Sequence, residues 1–191
     1  MKILLFISLS LMPIASPQKK NIRIVLYSTT DNIRLVAAIE NRIDSVYGNI
    51  PVEYLGSFYS PKYNKEELYD AKDFTSILGH LKKSKNIFVV GLTDVYISRL
   101  HIYMDMFASR DTVVGFSDLD NNCSIISSAQ LNDSLTTSRT ANVVIHELGH
   151  LFGLQHCEDT TCVMIAYDHF DNDKLCPICR KLLYLLTHNK N

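Results

Sequence analysis

The sequence predicts an α/β fold built on a twisted, mostly parallel β-sheet. Three apolar, β-branched segments alternate with two segments of helical periodicity in the first half of the chain. This β-α-β-α-β order is typical of parallel strands that are joined by right-handed crossover helices. A further helical segment, in the second half, carries two histidines four residues apart. With 47% hydrophobic residues among 191, the chain can form the core of one compact domain.

Residues 1–16 have the pattern of a secretory signal peptide. A single lysine precedes an apolar run that ends near Pro13 and is followed by small residues. The run is too short for a permanent membrane-spanning helix. A first buried strand is the alternative, but a strand candidate with its own helix begins at Asn21. We therefore expect an exported protein, periplasmic or secreted, with a mature domain of residues 17–191; without a signal peptide it would be cytoplasmic.

The charge balance argues against polyanionic partners. Loss of residues 1–16 leaves 18 Lys and Arg (19 less Lys2) against 20 Asp and Glu, a net charge near −2. Neither nucleic acid nor an anionic membrane surface is expected to bind such a protein. We expect the mature form to be a monomer that is not attached to a membrane.

The first elements follow from apolar runs and their polar ends. Residues 22–28 form a continuous β-branched, apolar run and are predicted to be a buried strand. Asp31 can cap the helix that follows, whose apolar positions share one broad face through Val46. Gly48 ends this helix, and residues 51–56 are predicted to be a second strand.

The middle of the chain supplies the remaining strands. A helical pattern covers residues 65–83, although the polar stretch 70–73 can interrupt it. Residues 85–91 are predicted to be the third strand. Residues 112–116 and 123–127 read as two more strands, separated by a polar turn.

The helix that carries the paired histidines is predicted from Ser138 to Phe152. The preceding stretch 132–139 is rich in Ser and Thr, so it offers several N-caps. Three apolar side chains would pack toward the sheet, at Val144, Leu148 and Leu151.

The pattern H-E-x-x-H-x-x-G-x-x-H in this region predicts a zinc site. His146 and His150 share one helix face and can bind the same ion, while Glu147 can contact a zinc-bound water. Gly153 can end the helix and turn the chain, so that His156 becomes a third ligand. Three neutral imidazoles leave one tetrahedral position for water, as in catalytic zinc sites. The alternative is a core helix whose histidines are merely solvated or hydrogen-bonded.

Four cysteines further along predict a second site. Cys157 and Cys162 form C-x₄-C, and Cys176 and Cys179 form C-x₂-C, which fits a closed structural zinc site. One or two disulfides are the alternative in an exported protein; the spacing favours zinc. Cys123 is the odd cysteine and is expected to be a buried, unpaired thiol.

The histidine motif, the Cys that follows it, Met164 and the two cysteine pairs resemble the archaemetzincins, a family of the metzincin clan of zinc peptidases. The resemblance implies a metzincin-like α+β form of the predicted fold, with an antiparallel edge strand along the cleft, which we assign to residues 112–116. An extended peptide could add to the free edge of that strand. It also implies an N-terminal subdomain to about residue 153 and a small, zinc-stabilised C-terminal subdomain, 154–191.

The same resemblance implies a zinc metallopeptidase that acts on a peptide or protein substrate. Glu147 would be the general base, and Met164 the methionine of the turn beneath the catalytic metal. Two Zn²⁺ ions per chain are implied, a catalytic ion on His146, His150 and His156 and a structural ion on Cys157, Cys162, Cys176 and Cys179. The alternative function is a zinc-stabilised peptide- or protein-binding module with little catalytic activity, against which the intact Glu147 argues.

Overall fold

The computed structural model describes residues 22–29, 32–58, 67–103, 107–131, 134–166 and 170–188. The predicted signal peptide lies outside these ranges. The strands are β1 Arg23–Ser28, β2 Val52–Ser57, β3 Leu68–Asp70, β4 Ile87–Thr93, β5 Tyr96–Tyr103, β6 Phe107–Val113, β7 Gly115–Asp118 and β8 Cys123–Ser127. The helices are α1 Ile33–Tyr47, α2 Ala71–Leu81, α3 Thr136–Leu151 and α4 Pro177–His188.

The central sheet has the strand order β2-β1-β4-β8-β7. Strand β1 is parallel to β2 and β4, and β4 is parallel to β8, whereas β7 is antiparallel to β8. The predicted mostly parallel sheet with an antiparallel edge strand is therefore confirmed. The position assigned to that edge strand, 112–116, is wrong by a few residues. Residues 112 and 113 end β6, Val114 forms a bend, and the edge strand begins at Gly115.

Helices cover both faces of this sheet. Along β4, Phe88, Val90 and Leu92 belong to the core formed with α1 and α3, while Val89 belongs to the smaller core beneath α2. This alternation is the period of two that a strand buried on both faces requires. The sheet therefore holds α3 against one face, with the edge strand β7 beside it.

The second sheet, β3-β5-β6, was not predicted. Strands β5 and β6 form an antiparallel hairpin, and Leu68–Asp70 pairs with β5 in parallel. The helix predicted from residue 65 is therefore shorter and begins at Ala71, because the Asp70 side chain accepts a hydrogen bond from the backbone N–H of Lys72 at 2.9 Å. Asp70 acts as a cap there rather than as an interruption.

Two helix starts also differ from the prediction. Asn32, not Asp31, caps α1, since its side-chain oxygen accepts from the backbone N–H of Leu35 at 3.0 Å. Helix α3 begins at Thr136, before the predicted Ser138, and its N-cap residue Leu135 provides no side-chain hydrogen bond. The predicted Ser/Thr cap is therefore wrong; instead, the Thr136 hydroxyl donates to the carbonyl of Leu131.

Helix α4 begins at Pro177, as predicted, and contacts the core through a narrow stripe. Cys179 and Leu183 are buried. Several of its other apolar side chains are exposed, namely Ile178, Leu182, Leu185 and Leu186. In the part of the chain described here, no helix combines the length and the apolar character that crossing a bilayer would require.

Candidate metal centre

The structure brings His146, His150 and His156 together at one point. The Nε2 atom of His150 lies 3.1 Å from that of His146 and 3.2 Å from that of His156. His146 and His150 come from α3, one turn apart, and His156 comes from the segment after it. Because the three nitrogens can all be ligands of one ion, the site fits a metal bound by three imidazoles.

Hydrogen bonds to backbone carbonyls fix the tautomers of two of these rings. The Nδ1 atom of His146 lies 2.7 Å from the carbonyl oxygen of Val163, and that of His150 lies 2.9 Å from the carbonyl oxygen of Leu154. Each Nδ1 must donate to its carbonyl, so the Nε2 lone pairs face one another. Unprotonated nitrogens this close repel unless a cation lies between them, which is direct support for a metal site.

The end of α3 explains how the third histidine reaches the other two. Gly153 has a φ of 97°, its N–H donates to the carbonyl of His150, and the N–H of Leu154 donates to the carbonyl of Gly149. These two bonds form a Schellman motif, which needs a residue without Cβ at that position. The turn reverses the chain toward His156 and also presents the carbonyl of Leu154 to His150.

Burial favours the neutral form of the first two histidines. Loss of solvent lowers the pKa of His146 and also that of His150, where the charge of Glu147 opposes the effect. A neutral imidazole is the form that binds a metal. Both side chains are therefore poised to bind a cation rather than a proton.

Glu147 is buried beside the three histidines and is held by the edge strand. The hydroxyl of Ser117 donates to its Oε2 at 2.6 Å and also lies 3.0 Å from its backbone carbonyl oxygen. Gly115 lies against Oε1, where a side chain on residue 115 would collide with the carboxylate. Burial raises the pKa of Glu147, while the charge of His150, the Ser117 hydrogen bond and the charge of Arg99 oppose that rise.

A cleft of about 520 Å³ opens over these groups. It runs along β7 and is closed on the other side by α3 and by the segment after the histidines. Arg99, from β5, lies on its rim with the guanidinium 5.8 Å from the centre of the Phe116 ring. The cleft therefore combines a metal site, a buried carboxylate and an exposed strand edge.

Met164 is fully buried beneath the histidine site. Its sulfur packs so closely on Gly149 of α3 that any Cβ at this position would overlap it. The carbonyl of Met164 accepts from the N–H of Cys157 at 2.8 Å. The methionine turn therefore joins the helix with the histidines to the segment with the cysteines.

The four predicted cysteine ligands form a second cluster. Their sulfur atoms lie within 4.8 Å of one another, and those of Cys157 and Cys176 are 3.7 Å apart. None of them is in a disulfide. An Asx turn shapes the first pair, because the Asp159 carboxylate accepts from the backbone N–H of Thr161 at 2.9 Å.

Burial and crowding oppose ionisation of two thiols in this cluster, Cys162 and Cys179. Burial and the neighbouring thiols raise the pKa of Cys179, and burial raises that of Cys162. For Cys176 burial acts in the same direction, but hydrogen bonds from the neighbouring cysteines outweigh it and lower the pKa. Four thiolates cannot share so small a space without a positive ion, so the donor set fits one tetrahedral zinc.

The segment between the two cysteine pairs is tied to the rest of the domain. Arg139 of α3 forms a hydrogen-bonded ion pair with Asp171, and Arg42 of α1 pairs with Asp173. The Asn172 amide donates to the carbonyls of Thr160 and Cys162. Phe170 and Asn172 line the cleft, so this segment forms one wall of it.

Among the described residues, Cys123 and His188 belong to neither cluster. Cys123 is a free, buried thiol, as predicted, and burial raises its pKa to about 11. His188 stacks on Tyr184 at the end of α4. His169 lies outside the described residues, and for His101 only the backbone, in β5, is described.

Sequence reasoning missed Ser117, Gly115 and Arg99. They come from strands that precede α3, and even Ser117 lies 30 residues before Glu147, so no spacing rule connects them with the histidines. A glycine inside the predicted edge strand 112–116 and a serine directly after it were the signals available for Gly115 and Ser117.

Comparison with known proteins agrees with this geometry. The model of peptidase family M54 matches residues 22–187. An archaemetzincin of Haloquadratum walsbyi is 27% identical over 133 residues, 61% of this chain and 71% of that protein. An archaemetzincin of Thermococcus kodakarensis is 50% identical over 58 residues, 27% of this chain and 31% of that protein.

Solved structures show the same fold. The archaemetzincin of Methanopyrus kandleri has a TM-score of 0.70 at 24% identity and covers 89% of this chain and 97% of its own. That of Archaeoglobus fulgidus, complexed with malonate, has a TM-score of 0.62 at 25% identity and covers 84% and 99%. Since the family model spans most of the sequence and the site has the matching donors, the chain belongs to peptidase family M54, the archaemetzincin family of zinc metallopeptidases.

Proposed function

We propose that this chain hydrolyses peptide bonds in peptide or protein substrates, with a catalytic zinc on His146, His150 and His156 and with Glu147 as general base. The observation that carries the proposal is the convergence of three Nε2 atoms beside a buried carboxylate. Zinc bound there would activate water and polarise the scissile carbonyl near neutral pH.

Glu147 would move the proton in this reaction. Its Oε2 is occupied by the Ser117 hydroxyl, so Oε1 is the oxygen left to accept a proton from the attacking water. The same carboxyl would then donate that proton to the departing amine. Its burial keeps the carboxylate poorly solvated, which favours proton uptake during the reaction.

The free edge of β7 would hold the substrate backbone. Within the described residues, β7 pairs with β8 on one side only, and its other side faces the cleft. An extended peptide can add to such an edge through main-chain hydrogen bonds. Recognition of this kind depends on the substrate backbone rather than on particular side chains, so it suits extended peptides and unfolded segments.

We further propose a second, structural zinc on Cys157, Cys162, Cys176 and Cys179, which makes two ions per chain. The donors fit, since the four sulfurs can meet one ion. This ion would stabilise a small C-terminal subdomain, 154–191, beside the larger subdomain that ends near residue 153. Met164 would support the catalytic site from that side.

The test is a mass-spectrometric digest of a mixed peptide library by zinc-loaded wild type and by the Glu147→Gln variant. Only the wild type should cut, with turnover in the variant reduced by roughly a thousandfold or more while zinc content stays the same. Cut positions would distinguish trimming of termini from internal cleavage. Unchanged hydrolysis by Glu147→Gln would refute the role of Glu147.

A zinc-stabilised binding module is the second candidate function. It would hold a peptide in the cleft without cutting it. The buried carboxylate beside the histidines favours the peptidase, because a binder gains nothing from a base at that position. Zinc-loaded wild type that binds library peptides but cuts none would favour the binder.

We also propose that the protein is exported after removal of residues 1–16 and acts as a monomer without a nucleic-acid or membrane partner. The support is the apolar N-terminal run and the net charge near −2 that remains. Mass spectrometry of the protein from the producing cell and its medium tests both the cleavage and the location.

A further inference from the structure

We propose that Arg99 is a carboxylate-binding residue of the cleft and that it selects peptides with an acidic group near the scissile bond. The acidic group is either an Asp or Glu side chain or the C-terminal carboxylate of a short peptide. The proposal rests on the proposed peptidase function, because it concerns the substrate of the same site.

Arg99 lines the same cleft as the three histidines and Glu147, and it comes from β5 rather than from the central sheet. Its guanidinium carbon lies 5.8 Å from the ring centre of Phe116, a residue of the edge strand β7. The guanidinium therefore lies close to the path of a substrate on the edge of β7.

The cleft is lined by few charged side chains. Among the described residues that line it, Arg99 is the one Lys or Arg, and Glu147 is the one carboxylate. Glu147 already has a partner in Ser117. The other polar lining side chains besides the histidines are uncharged, namely Thr112, Ser117, Gln130, Asn142, Gln155 and Asn172.

The Arg99 guanidinium has an aromatic neighbour in the edge strand. It lies over the Phe116 ring, with its carbon 5.8 Å from the ring centre, a cation–π contact that leaves its N–H groups available as donors. The ion pairs found among the described residues do not include Arg99, although Asp111 lies opposite it in the β5–β6 pairing. A guanidinium with available donors is suited to bidentate binding of a carboxylate.

The sign of the cleft agrees with this role. A divalent cation on three neutral histidines would add to the positive charge of Arg99, and one buried carboxylate would not balance them. An anionic peptide should therefore bind better than a neutral one of the same shape.

The experiment compares matched peptides on the zinc-loaded full chain. One peptide cut by the wild type is made with Asp or Asn at each position near the cut and with a free or amidated C-terminus. The enzymes are wild type, Arg99→Met, Arg99→Lys and, as a matched control outside the cleft, Arg34→Met on the exposed face of α1. Both kcat/KM and peptide binding by fluorescence anisotropy are measured, the latter with the Glu147→Gln substitution added to each protein.

Wild type should prefer the acidic peptide about tenfold over its neutral partner, in cleavage and in binding. Arg99→Met should abolish this preference whatever its rate on the neutral peptide, Arg99→Lys should retain part of it, and Arg34→Met should retain all of it. Preference for Asp over Asn identifies a side chain as the source, and preference for acid over amide identifies the C-terminus. Either supports the proposal.

A preference that survives in Arg99→Met would overturn the proposal, and so would equal losses on acidic and neutral peptides. The outcome is separable from the peptidase function. If the wild type cuts no peptide, the proposed function fails, and a library peptide that binds replaces the cut one. Its acidic and neutral forms, tested by anisotropy with Asp or Asn at every position in turn, then decide the role of Arg99.

Discussion

Ser117 shows how a single side chain can prepare the base. A buried carboxylate with no partner would be free to rotate, and its ionised form would be poorly stabilised. The Ser117 hydroxyl bonds one of its oxygens at 2.6 Å and is itself 2.9 Å from the hydroxyl of Ser124. Glu147 therefore keeps one defined orientation, with Oε1 against Gly115.

We expect Ser117→Ala to lower kcat by roughly tenfold, since a hydrogen bond to a charged group contributes about 1.5–3 kcal/mol. KM and zinc content should stay near those of the wild type, because the substitution leaves the β7 backbone in place and the lost hydroxyl bonds Glu147 and Ser124 rather than the histidines. Ser117→Thr, which keeps the hydroxyl, should recover most of the loss. Steady-state kinetics with zinc analysis checks this; equal losses in the Ala and Thr variants would mean that Ser117 acts through packing instead.

At the scale of single residues, the sequence predicts the metal ligands and the base better than the groups that hold them in position. His146, His150 and Glu147 lie within one helical turn, so their spacing alone places them together. The supports of these groups are a hydroxyl on a distant strand and the carbonyls of Leu154 and Val163. A carbonyl is present at every residue, so no sequence pattern can identify which one will accept a bond.

At the scale of elements, α3 and the methionine turn form one packed unit. Gly149 lies on the face of α3 that meets the Met164 sulfur, and only the lack of a Cβ allows the contact. Glycine is normally a weak point in a helix, at about 1 kcal/mol relative to alanine. The close approach of the turn therefore explains why glycine occupies the helix turn between the two histidines.

Gly149→Ala should lower the melting temperature and weaken zinc binding at the histidines, although alanine favours helix formation. The added methyl group must displace Met164, and core overpacking typically costs about 1–3 kcal/mol. The matched control is Gly79→Ala in α2, where the nearest atoms belong to the Asn121 side chain at 3.3 Å and need to shift by only a few tenths of an ångström. That change should leave stability equal or slightly higher.

Thermal unfolding and zinc titration of the two alanine variants check the comparison. If Gly149→Ala were as stable as Gly79→Ala and bound zinc normally, the packing of Met164 on α3 would not matter for the site.

Elements with one dominant signal were predictable, and those that depend on pairing were not. Strand β4 and helix α1 carry continuous apolar runs or a clear helical period, and both lie close to where the sequence places them, with β4 shifted by two residues from the predicted 85–91 to Ile87–Thr93. The β5–β6 hairpin contains Arg99, Asp111 and other polar residues, because it belongs to a separate small sheet. Its strands form because they pair with neighbouring strands, not because they are buried. A local sequence pattern carries no information about such pairing.

At the scale of the whole molecule, the two candidate metal sites share a single short segment. His156 and Cys157 are adjacent, and Cys162 lies two residues before Met164. Cys162, Cys176 and Cys179 are also part of the main hydrophobic core, together with Met164 and residues of α1 and α3. The cysteine site is thus built into the core, whereas the histidine site opens to the cleft.

This difference predicts that chelation removes the metals in two steps. The histidine site should lose its ion first, because His156 is exposed and the nitrogens face solvent in the cleft. That step should abolish hydrolysis and leave the circular dichroism spectrum unchanged. The cysteine site should resist longer, since Cys162, Cys176 and Cys179 are 0%, 6% and 4% exposed.

Loss of the second ion should coincide with loss of structure, because four thiols without a cation would remain crowded inside the core and binding energy at such a site is folding energy. Zinc release followed with a colorimetric chelator, in parallel with circular dichroism, measures both steps on one sample. In Cys176→Ser the two release steps should coincide, because the cysteine site should lose its ion more easily. In His156→Ala only the first release step should be missing. Release of both ions with the fold intact would show that the cysteine site does not hold the C-terminal segment on the core.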